Sequence, residues 1–258
     1  MSVSDNDGYY SEYLNRGRGG QSSALVKKWH ERVWNMFVRL MGEPFGSSPL
    51  RVFEVGYGHG YFANVVIGNR NDYLGTDISR ALLDAASAAG HRVVHPDDLD
   101  FDGLQGTCDV VWLSHVLEHC DGWKEAREFV ERYAALLTPD GVIVVVGPDL
   151  LSWKHHFWSA DFSHGFGTTR RNVVQLLSDV GLEVSVSAYH RGGSNSLLTR
   201  AFFRLSTMVP HRFLDWVCAP SRSRRGEGPF SSMKFVLGWR QLIIAATPSR
   251  ARESSGEP

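Results

Sequence analysis

The sequence lacks the features of disulfide-bonded, membrane-spanning and nucleic-acid-binding proteins. Its 258 residues include three cysteines, whose odd number and spacing match neither a disulfide framework nor a zinc motif. A reducing, cytoplasmic compartment is therefore the expected location. No apolar run is long enough to cross a bilayer, and the first residues lack the basic and apolar regions of a signal peptide. The net charge of −1 gives no reason to expect nucleic acid as a partner.

What the sequence does contain is a glycine-rich turn after an apolar run. Residues 51–55 read Arg-Val-Phe-Glu-Val, and three glycines follow at Gly56, Gly58 and Gly60. An apolar stretch with helical spacing comes next, which predicts a strand, a tight turn and a helix start. Glycine permits positive φ and lets a ligand approach the main chain, where the amide groups of the helix start face it. The turn therefore predicts a site for a nucleoside-bearing cofactor.

The spacing of these glycines argues against a dinucleotide. The dinucleotide fingerprint is G-x-G-x-x-G, and Tyr61 stands where its last glycine belongs. That glycine permits close packing of helix and strand around a pyrophosphate, so its absence disfavours NAD and FAD.

After Glu54 in the first predicted strand, the next acid of interest is Asp77, which ends a short apolar segment over residues 73–77. A carboxylate at the tip of the second strand can accept hydrogen bonds from the hydroxyls of a bound ribose. The alternative role is capping of the helix predicted over 81–89, for which Ser79 is also available. We expect Asp77 to bind ribose and Ser79 to cap the helix.

Strands and helices alternate along the chain, which predicts a parallel sheet. The predicted strands lie near 51–56, 72–77, 91–95, 108–113, 141–147, 182–188 and 234–246. A helix over 22–42 precedes them, with an apolar stripe made of Leu25, Trp29, Val33, Phe37 and Leu40.

Four motifs follow one another along the chain. They are Glu54–Gly60, Asp77, the strand Asp109–Val111 leading to His115–His119, and Leu137–Gly141. In this order they resemble the motifs of class I S-adenosylmethionine-dependent methyltransferases, most closely the small-molecule, glycan and natural-product branch. The resemblance covers residues 50–188. Asp140 stands where the family usually has a second glycine, and Asp tolerates turn conformations.

The resemblance implies an α/β fold, with a Rossmann-like, doubly wound, seven-stranded and mostly parallel sheet and helices on both faces. It implies S-adenosyl-L-methionine as cofactor and S-adenosyl-L-homocysteine as product. The expected cofactor-binding residues are Glu54, Gly56, Tyr57, Gly58, Gly60, Asp77, Ile78, Asp97, Asp98, Ser114, His115 and Tyr13. Glu54 has an alternative role as a strand-end charge with local hydrogen bonds, and Asp97 and Asp98 either contact adenine or are simply solvated.

Methyl transfer to a hydroxyl needs alignment of the nucleophile with the methyl group and a group that accepts its proton. The candidate catalytic residues are His164, in a loop after the fifth strand, and His115, after the fourth. An imidazole can take a hydroxyl proton at neutral pH, although a loop histidine bonded to backbone is an equal interpretation of His164. Aromatic residues of the same loop suit a flat, partly apolar acceptor or a plain loop core: Trp153, Phe157, Trp158 and Phe162. Thr168 is the expected cap of the next helix.

Two other functions remain open. His115, Glu118 and His119 spell H-x-x-E-H, a zinc signature in which both histidines lie on one helical face, so a metal-dependent hydrolase is one alternative. The preceding strand, glycine turn and acidic strand tip are not needed by such an enzyme, and no metal ligand is assigned. The second alternative is a non-catalytic binding module of the same fold.

The remaining segments divide the chain as follows. Residues 1–46 are expected to form an N-terminal tail and helical lid, in which Tyr9, Tyr10 and Tyr13 either cover the cofactor or belong to a mobile tail. Residues 47–189 form the core, 190–233 an insertion, 234–247 the last strand and 248–258 a disordered tail. Residues 190–233 are expected to form a substrate lid or packing helix. The alternative is an interfacial element that contacts a membrane weakly without entering it stably. A small-molecule acceptor is the expected partner.

Overall fold

The predicted alternation of strands and helices is confirmed. The computed structural model describes residues 20–42, 45, 49–191, 211–218 and 240–249. The strands are β1 (Arg51–Val55), β2 (Asp72–Thr76), β3 (Val93–Val94), β4 (Cys108–Ser114), β5 (Leu137–Pro148), β6 (Leu182–Arg191) and β7 (Arg240–Pro248). The helices are α1 (Gly20–Met41), α2 (Tyr61–Gly68), α3 (Arg80–Ala88), α4 (Phe101–Leu104), α5 (Trp123–Ala134), α6 (Leu150–Trp153), α7 (His155–Ala160), α8 (Arg170–Asp179) and α9 (His211–Cys218). Single helical turns cover Pro96–Asp98 and Leu117–His119.

The strands form one seven-stranded sheet in the order β3-β2-β1-β4-β5-β7-β6. The neighbours from β3 to β5 pair in parallel, and β7 runs antiparallel to both β5 and β6. The chain order reverses beside β1, because β2 lies on one side of it and β4 on the other. In such sheets, ligands bind outside the carboxyl ends of the strands at this reversal point.

Two hydrophobic cores lie on opposite faces of the sheet. Side chains alternate between faces along a strand, so Val111 and Leu113 of β4 contribute to one core while Val110 and Trp112 contribute to the other. Helices α5 and α8 cover the first face, and α1 and α2 cover the second. The expected doubly wound architecture, with helices on both faces, is therefore present.

Helix α1 confirms the helix predicted over 22–42, but its buried face differs from the predicted stripe. Val33 and Phe37 are buried as expected, and Trp34 is buried beside them, with its ring 5.7 Å from that of Phe62 in α2. Leu40 is 49% exposed, because the stripe turns away from the core before the helix ends. The C-terminal half of α1 is thus part of the core.

Strand β5 begins four residues earlier than predicted. Residues 137–140 precede the predicted strand, but Leu137 already pairs with Cys108, before a register shift that separates this pair from the rest of the ladder. Gly141 lies at this irregularity, where a Cβ atom would come within 2.8 Å of the carbonyl oxygen of Cys108. Glycine is therefore required here, because β4 and β5 approach each other closely at this point.

Other strand bounds differ by a few residues. Strand β3 is shorter than the predicted 91–95, and β6 continues to Arg191, two residues past the predicted end of the core at residue 189. Strand β7 begins at Arg240, while residues 234–239 of the predicted strand lie outside the described residues. Of the insertion, α9 is described. No helix in the described parts of the chain combines the length and hydropathy needed to cross a membrane.

Candidate active site

The glycine turn joins β1 to α2, and all three of its glycines have positive φ: 85° at Gly56, 55° at Gly58 and 70° at Gly60. A Cβ atom on Gly56 would lie 2.6 Å from Val116 Cγ1 and 3.0 Å from the carbonyl oxygen of Ser114. A Cβ atom on Gly58 would meet no described atom within 4 Å. Gly56 is therefore set by packing against the end of β4, whereas Gly58 leaves an open face where a ligand can reach the main chain.

Asp77 ties the turn to the end of β2. Its side chain is buried, its Oδ2 accepts a hydrogen bond from the Gly58 amide at 3.0 Å, and its Oδ1 accepts one from the Ser79 amide at 3.0 Å. Burial raises the pKa of this carboxyl, while the backbone amides of Ser79, Gly58 and Ile78 act in the opposite direction. Each oxygen keeps further acceptor capacity, so the carboxylate fits a ligand that donates two hydroxyl hydrogen bonds.

Ser79 caps α3, as predicted. Its Oγ accepts a hydrogen bond from the Leu82 amide at 3.3 Å, which satisfies one of the free amides of the first turn. Ile78, between Asp77 and Ser79, is 42% exposed and offers an apolar surface beside the turn.

Two buried aromatic residues, Tyr73 and Tyr57, make hydrogen bonds next to the glycine turn. Tyr73 donates its hydroxyl hydrogen bond to Glu54 Oε2 at 2.5 Å, and a Cβ on Gly75 would collide with the Tyr73 ring. Burial raises the pKa of Glu54 well above its ordinary value, the Tyr73 hydrogen bond opposes this, and the charge of Asp77 adds to it. The hydroxyl of Tyr57 lies 2.7 Å from His91 Nδ1, and burial raises its pKa to about 12. The structure thus brings Glu54 into a local hydrogen bond, which was its alternative role.

The two acids after β3 lie in the helical turn Pro96–Asp98 and are exposed. Asp98 pairs with Arg80 at 3.4 Å, and the Asp97 amide donates to Nδ1 of the buried His95 at 3.3 Å. Tyr13, the remaining predicted cofactor residue, lies outside the described residues together with Tyr9 and Tyr10.

Ser114 and His115 stand at the end of β4, beside the glycine turn. The His115 amide donates to the carbonyl oxygen of Val146 at 2.8 Å, and its φ is 55°, a region that a residue with a Cβ adopts only under constraint. Its Nδ1 lies 3.1 Å from Glu118 Oε1, and its side chain is 38% exposed while that of Glu118 is 2% exposed. The ring of Trp29 in α1 is 6.4 Å from that of His115, so α1 borders the site.

The common helix that the alternative zinc interpretation of H-x-x-E-H needs is not formed in this segment. Only Leu117–His119 are helical, because the backbone turns through positive φ at His115. The two histidines therefore do not lie on one face of a common helix. Instead, His115 uses Nδ1 to hold Glu118.

A second group of polar side chains joins the segment after β4 to the loop after α7. His119 Nδ1 lies 2.7 Å from Ser163 Oγ, and His164 Nδ1 lies 2.5 Å from the carbonyl oxygen of Phe157. The rings of the two histidines are 5.1 Å apart. The carbonyl oxygen of Glu118 accepts hydrogen bonds from the amides of Gly165 at 2.8 Å and Phe166 at 3.2 Å, which fix the loop against the β4 segment.

Charges in this group shift two pKa values. Burial would raise the pKa of Glu118, but the hydrogen bond to His115 and the nearby histidines lower it overall. Burial lowers the pKa of His119, although Glu118 and Asp161 act against the shift. This is an ion-pair environment in which the carboxylate is the favoured form of Glu118.

The aromatic residues after β5 divide into two pairs. Trp153 and Phe157 are buried and form the loop core, whereas Trp158 is 48% and Phe162 is 78% exposed. The expected cap at Thr168 is wrong by one residue: Thr169 accepts from the Asn172 amide at 3.1 Å, while Thr168 donates to the carbonyl oxygen of Pro148. Thr168 is buried because it anchors the loop to the end of β5.

The strand order, the glycine turn after β1 and the acid after β2 define a class I methyltransferase fold. The sequence profile of a methyltransferase domain family matches residues 26–185, so the chain belongs to that family. Its cofactor is S-adenosyl-L-methionine, and the product is S-adenosyl-L-homocysteine. No curated protein matches the chain in sequence.

Solved structures share the fold at low sequence identity. A chain of the complex between the Haloferax volcanii Trm112 methyltransferase activator and a methyltransferase is 15% identical, with a TM-score of 0.65 over 95% of this chain and 98% of that one. Magnesium protoporphyrin IX methyltransferase from Synechocystis, with bound S-adenosylhomocysteine, is 13% identical, with a TM-score of 0.57 over 95% and 96%. An Archaeoglobus fulgidus S-adenosylmethionine-dependent methyltransferase is 17% identical, with a TM-score of 0.55 over 84% and 94%.

Proposed function

We propose that this methyltransferase transfers a methyl group to a hydroxyl of a small-molecule acceptor, such as a sugar unit or a natural-product intermediate, with His115 as general base. The observation that carries the proposal is the His115–Glu118 pair. A buried carboxylate holds one nitrogen of a partly exposed imidazole, at the carboxyl edge of the sheet beside the glycine turn. The carboxylate thereby orients the imidazole, and we assign proton acceptance to its other nitrogen, to which no described residue is seen to bond.

The cofactor is placed on the glycine turn. Gly58 offers an open main-chain face, and Asp77 offers two carboxylate oxygens to the ribose hydroxyls. The remaining residues assigned to this site are Glu54, Gly56, Tyr57, Gly60, Ile78, Asp97, Asp98, Ser114 and His115. Tyr13, which lies outside the described residues, is assigned to it from the sequence. When bound, the cofactor would supply a methyl group carried on a positively charged sulfur. The chain's own contribution is alignment and acceptance of the hydroxyl proton.

His115 is preferred to His164 as the base because of what each imidazole contacts. Nδ1 of His115 faces a carboxylate, which stabilises the imidazolium formed when the other nitrogen accepts a proton. Nδ1 of His164 faces the carbonyl of Phe157, which orients the ring but carries no charge. Glu118 is then a positioning residue for His115.

A hydroxyl acceptor follows from the presence of an oriented base, since an amine needs orientation alone. The exposed rings of Trp158 and Phe162 favour an acceptor with an apolar face. Nucleic acid is not proposed as the acceptor, because the net charge is −1. We keep the cytoplasm as the proposed location, because Cys108 and Cys120 are both free and buried.

The test is formation of S-adenosylhomocysteine with a panel of hydroxylated acceptors, followed by variants on the best substrate. His115→Asn should lower kcat by roughly 10²–10⁴-fold, the usual contribution of a general base. Glu118→Gln should lower kcat less, because the imidazole remains but is less well oriented. The control is His155→Asn, at an exposed histidine of α7.

Full turnover by His115→Asn would show that His115 is not the general base, and His164 would then be the candidate for that role. Cofactor binding without turnover on any acceptor class would support the non-catalytic binding module instead.

A further inference from the structure

We propose that Glu118, His119 and His164 form a binding site for one divalent first-row transition-metal ion, of the kind that takes mixed nitrogen and oxygen ligands, such as Zn²⁺, Co²⁺ or Mn²⁺. One ligand atom from each residue lies within 4.8 Å of the other two. Two imidazoles and one carboxylate form a common donor set for such ions when further coordination positions stay open. Nothing in the proposed methyl transfer requires this site.

The spacing of the three groups leaves room for an ion between them. Ligands about 2.0–2.2 Å from an ion stand roughly 3–4 Å from one another. The observed limit of 4.8 Å therefore calls for a shift of the side-chain ends by about an ångström when the ion binds.

The hydrogen bonds of the two histidines leave the same nitrogen free on each. Ser163 Oγ donates to Asp161 Oδ1 at 2.7 Å, so its lone pairs accept the Nδ1 proton of His119. The Phe157 carbonyl is an acceptor only, so the Nδ1 of His164 must donate to it. This hydrogen-bond network assigns both protons to Nδ1 and leaves both Nε2 lone pairs available. Outer hydrogen bonds of this type, from a ligating histidine to a hydroxyl or a carbonyl, are the usual support of a metal site.

The carboxylate supplies an independent observation. Glu118 is 1% exposed, and its Oε1 is held by His115, yet its Oε2 has no hydrogen-bond partner among the described residues. A buried carboxylate oxygen without a donor is costly, and a cation would satisfy it. The two oxygens of this one side chain would then serve different partners, His115 on one side and the ion on the other.

Backbone hydrogen bonds hold His164 beside Glu118 and His119, although His164 is far from both in sequence. The Glu118 carbonyl accepts hydrogen bonds from two amides of the 164–166 loop, those of Gly165 and Phe166. A Cβ atom on Gly165 would lie 2.4 Å from the carbonyl oxygen of Cys120, so only glycine lets the two segments approach this closely. His164 is thereby fixed next to His119.

The test uses the untagged full chain, freed of metal by a chelator and titrated with Co²⁺, followed by visible absorption. The expected result is one equivalent bound, with the d–d bands of a low-coordinate nitrogen and oxygen site, displaced by Zn²⁺. Glu118→Gln and His164→Asn should lose this binding, while His155→Asn should keep it. Ser163→Ala keeps all three ligands but removes the support of His119, and should weaken binding by about 10–100-fold.

Absence of one-equivalent binding by the folded wild type would overturn the proposal. So would binding of equal affinity by His164→Asn and the wild type. Thermal unfolding of each metal-free variant shows whether it is folded. If His164→Asn does not fold, the metal affinity of Ser163→Ala tests the proposal instead. The readout needs neither cofactor nor acceptor, so its failure leaves the methyl-transfer proposal standing, and failure of methyl transfer leaves the metal site standing.

Discussion

Two regions meet at the carboxyl edge of the sheet, and they are built in opposite ways. The glycine turn after β1 is made of main chain: three positive-φ glycines and one carboxylate that accepts backbone amides. The histidine group after β4 is made of side chains contributed by segments 44 residues apart, as the bond between His119 and Ser163 shows. The first region suits a ligand that approaches the backbone closely, and the second suits proton or metal chemistry.

The same contrast appears in their buried glutamates. Burial raises the pKa of Glu54 and the charge of Asp77 adds to this, while its hydroxyl donor, Tyr73, only partly opposes them. Glu118 is as deeply buried, but the adjacent histidines outweigh burial and lower its pKa. Burial alone therefore does not decide whether a carboxyl group in this fold is charged, since the partner decides it.

The largest structural effect is expected at Gly56. Gly56→Ala adds a methyl group at positive φ that collides with Val116 and Ser114, whereas Gly58→Ala adds one at positive φ with open space around it. The first should lower the free energy of unfolding by about 2–5 kcal/mol, combining backbone strain with overpacking. The second should lower it by only about 1–2 kcal/mol from strain. Urea unfolding of both variants measures the difference, and equal losses would show that packing against the end of β4 does not constrain the turn.

A pH-dependent effect is expected at Glu54. Its pKa is raised in the folded protein, so its contribution to stability is fully present below its unfolded pKa and is lost as pH rises through the folded value. Glu54→Gln keeps an acceptor for Tyr73 but cannot ionise. The variant should therefore gain stability relative to the wild type as pH rises above about 4.5, the ordinary glutamate range. Denaturant unfolding across pH tests this, and a stability difference that does not change with pH would contradict it.

The smallest effects are expected at the helix caps, where the two regions should behave alike. Ser79→Ala removes the cap of α3 beside the glycine turn, and Thr169→Ala removes the cap of α8 beyond the histidine loop. Each should lower the free energy of unfolding by about 1 kcal/mol. Thr168→Ala is the comparison, since it removes a buried hydroxyl bonded to Pro148 rather than a cap. A loss well above that range for Ser79→Ala would mean that Ser79 also supports the position of Asp77.

The glycine turn could be predicted from sequence because its geometry is local. Adjacent residues determine its positive φ values, the strand before it and the helix after it. Ser79 could be assigned as a cap for the same reason. The sheet followed from alternation, although the early start of β5 did not, since the pairing of Leu137 with Cys108 depends on a register shift between distant strands. Thr168 was mistaken for Thr169 because adjacent threonines are equally good caps in sequence.

The histidine group could not be predicted in the same way. The H-x-x-E-H spacing indicated a helix that does not form. The backbone has a positive φ at His115, and nothing in the local sequence signals it. The support of His119 by Ser163 and the contact of His164 with Phe157 arise only when the loop folds back on the β4 segment. His164 and His115 were both identified as candidates, but which of them faces a carboxylate is a property of the tertiary structure.

The most direct test of the central claim is calorimetric titration of the metal-free protein with S-adenosylmethionine and S-adenosylhomocysteine. The wild type is compared with Asp77→Ala and with Asp84→Ala, an exposed carboxylate of α3 outside the site. Two hydrogen bonds to a charged group contribute about 1.5–3 kcal/mol each, so Asp77→Ala should bind at least about 100-fold more weakly, while Asp84→Ala should bind like the wild type. No binding by the folded wild type, or equal affinity in Asp77→Ala, would contradict the placement of the cofactor on the glycine turn.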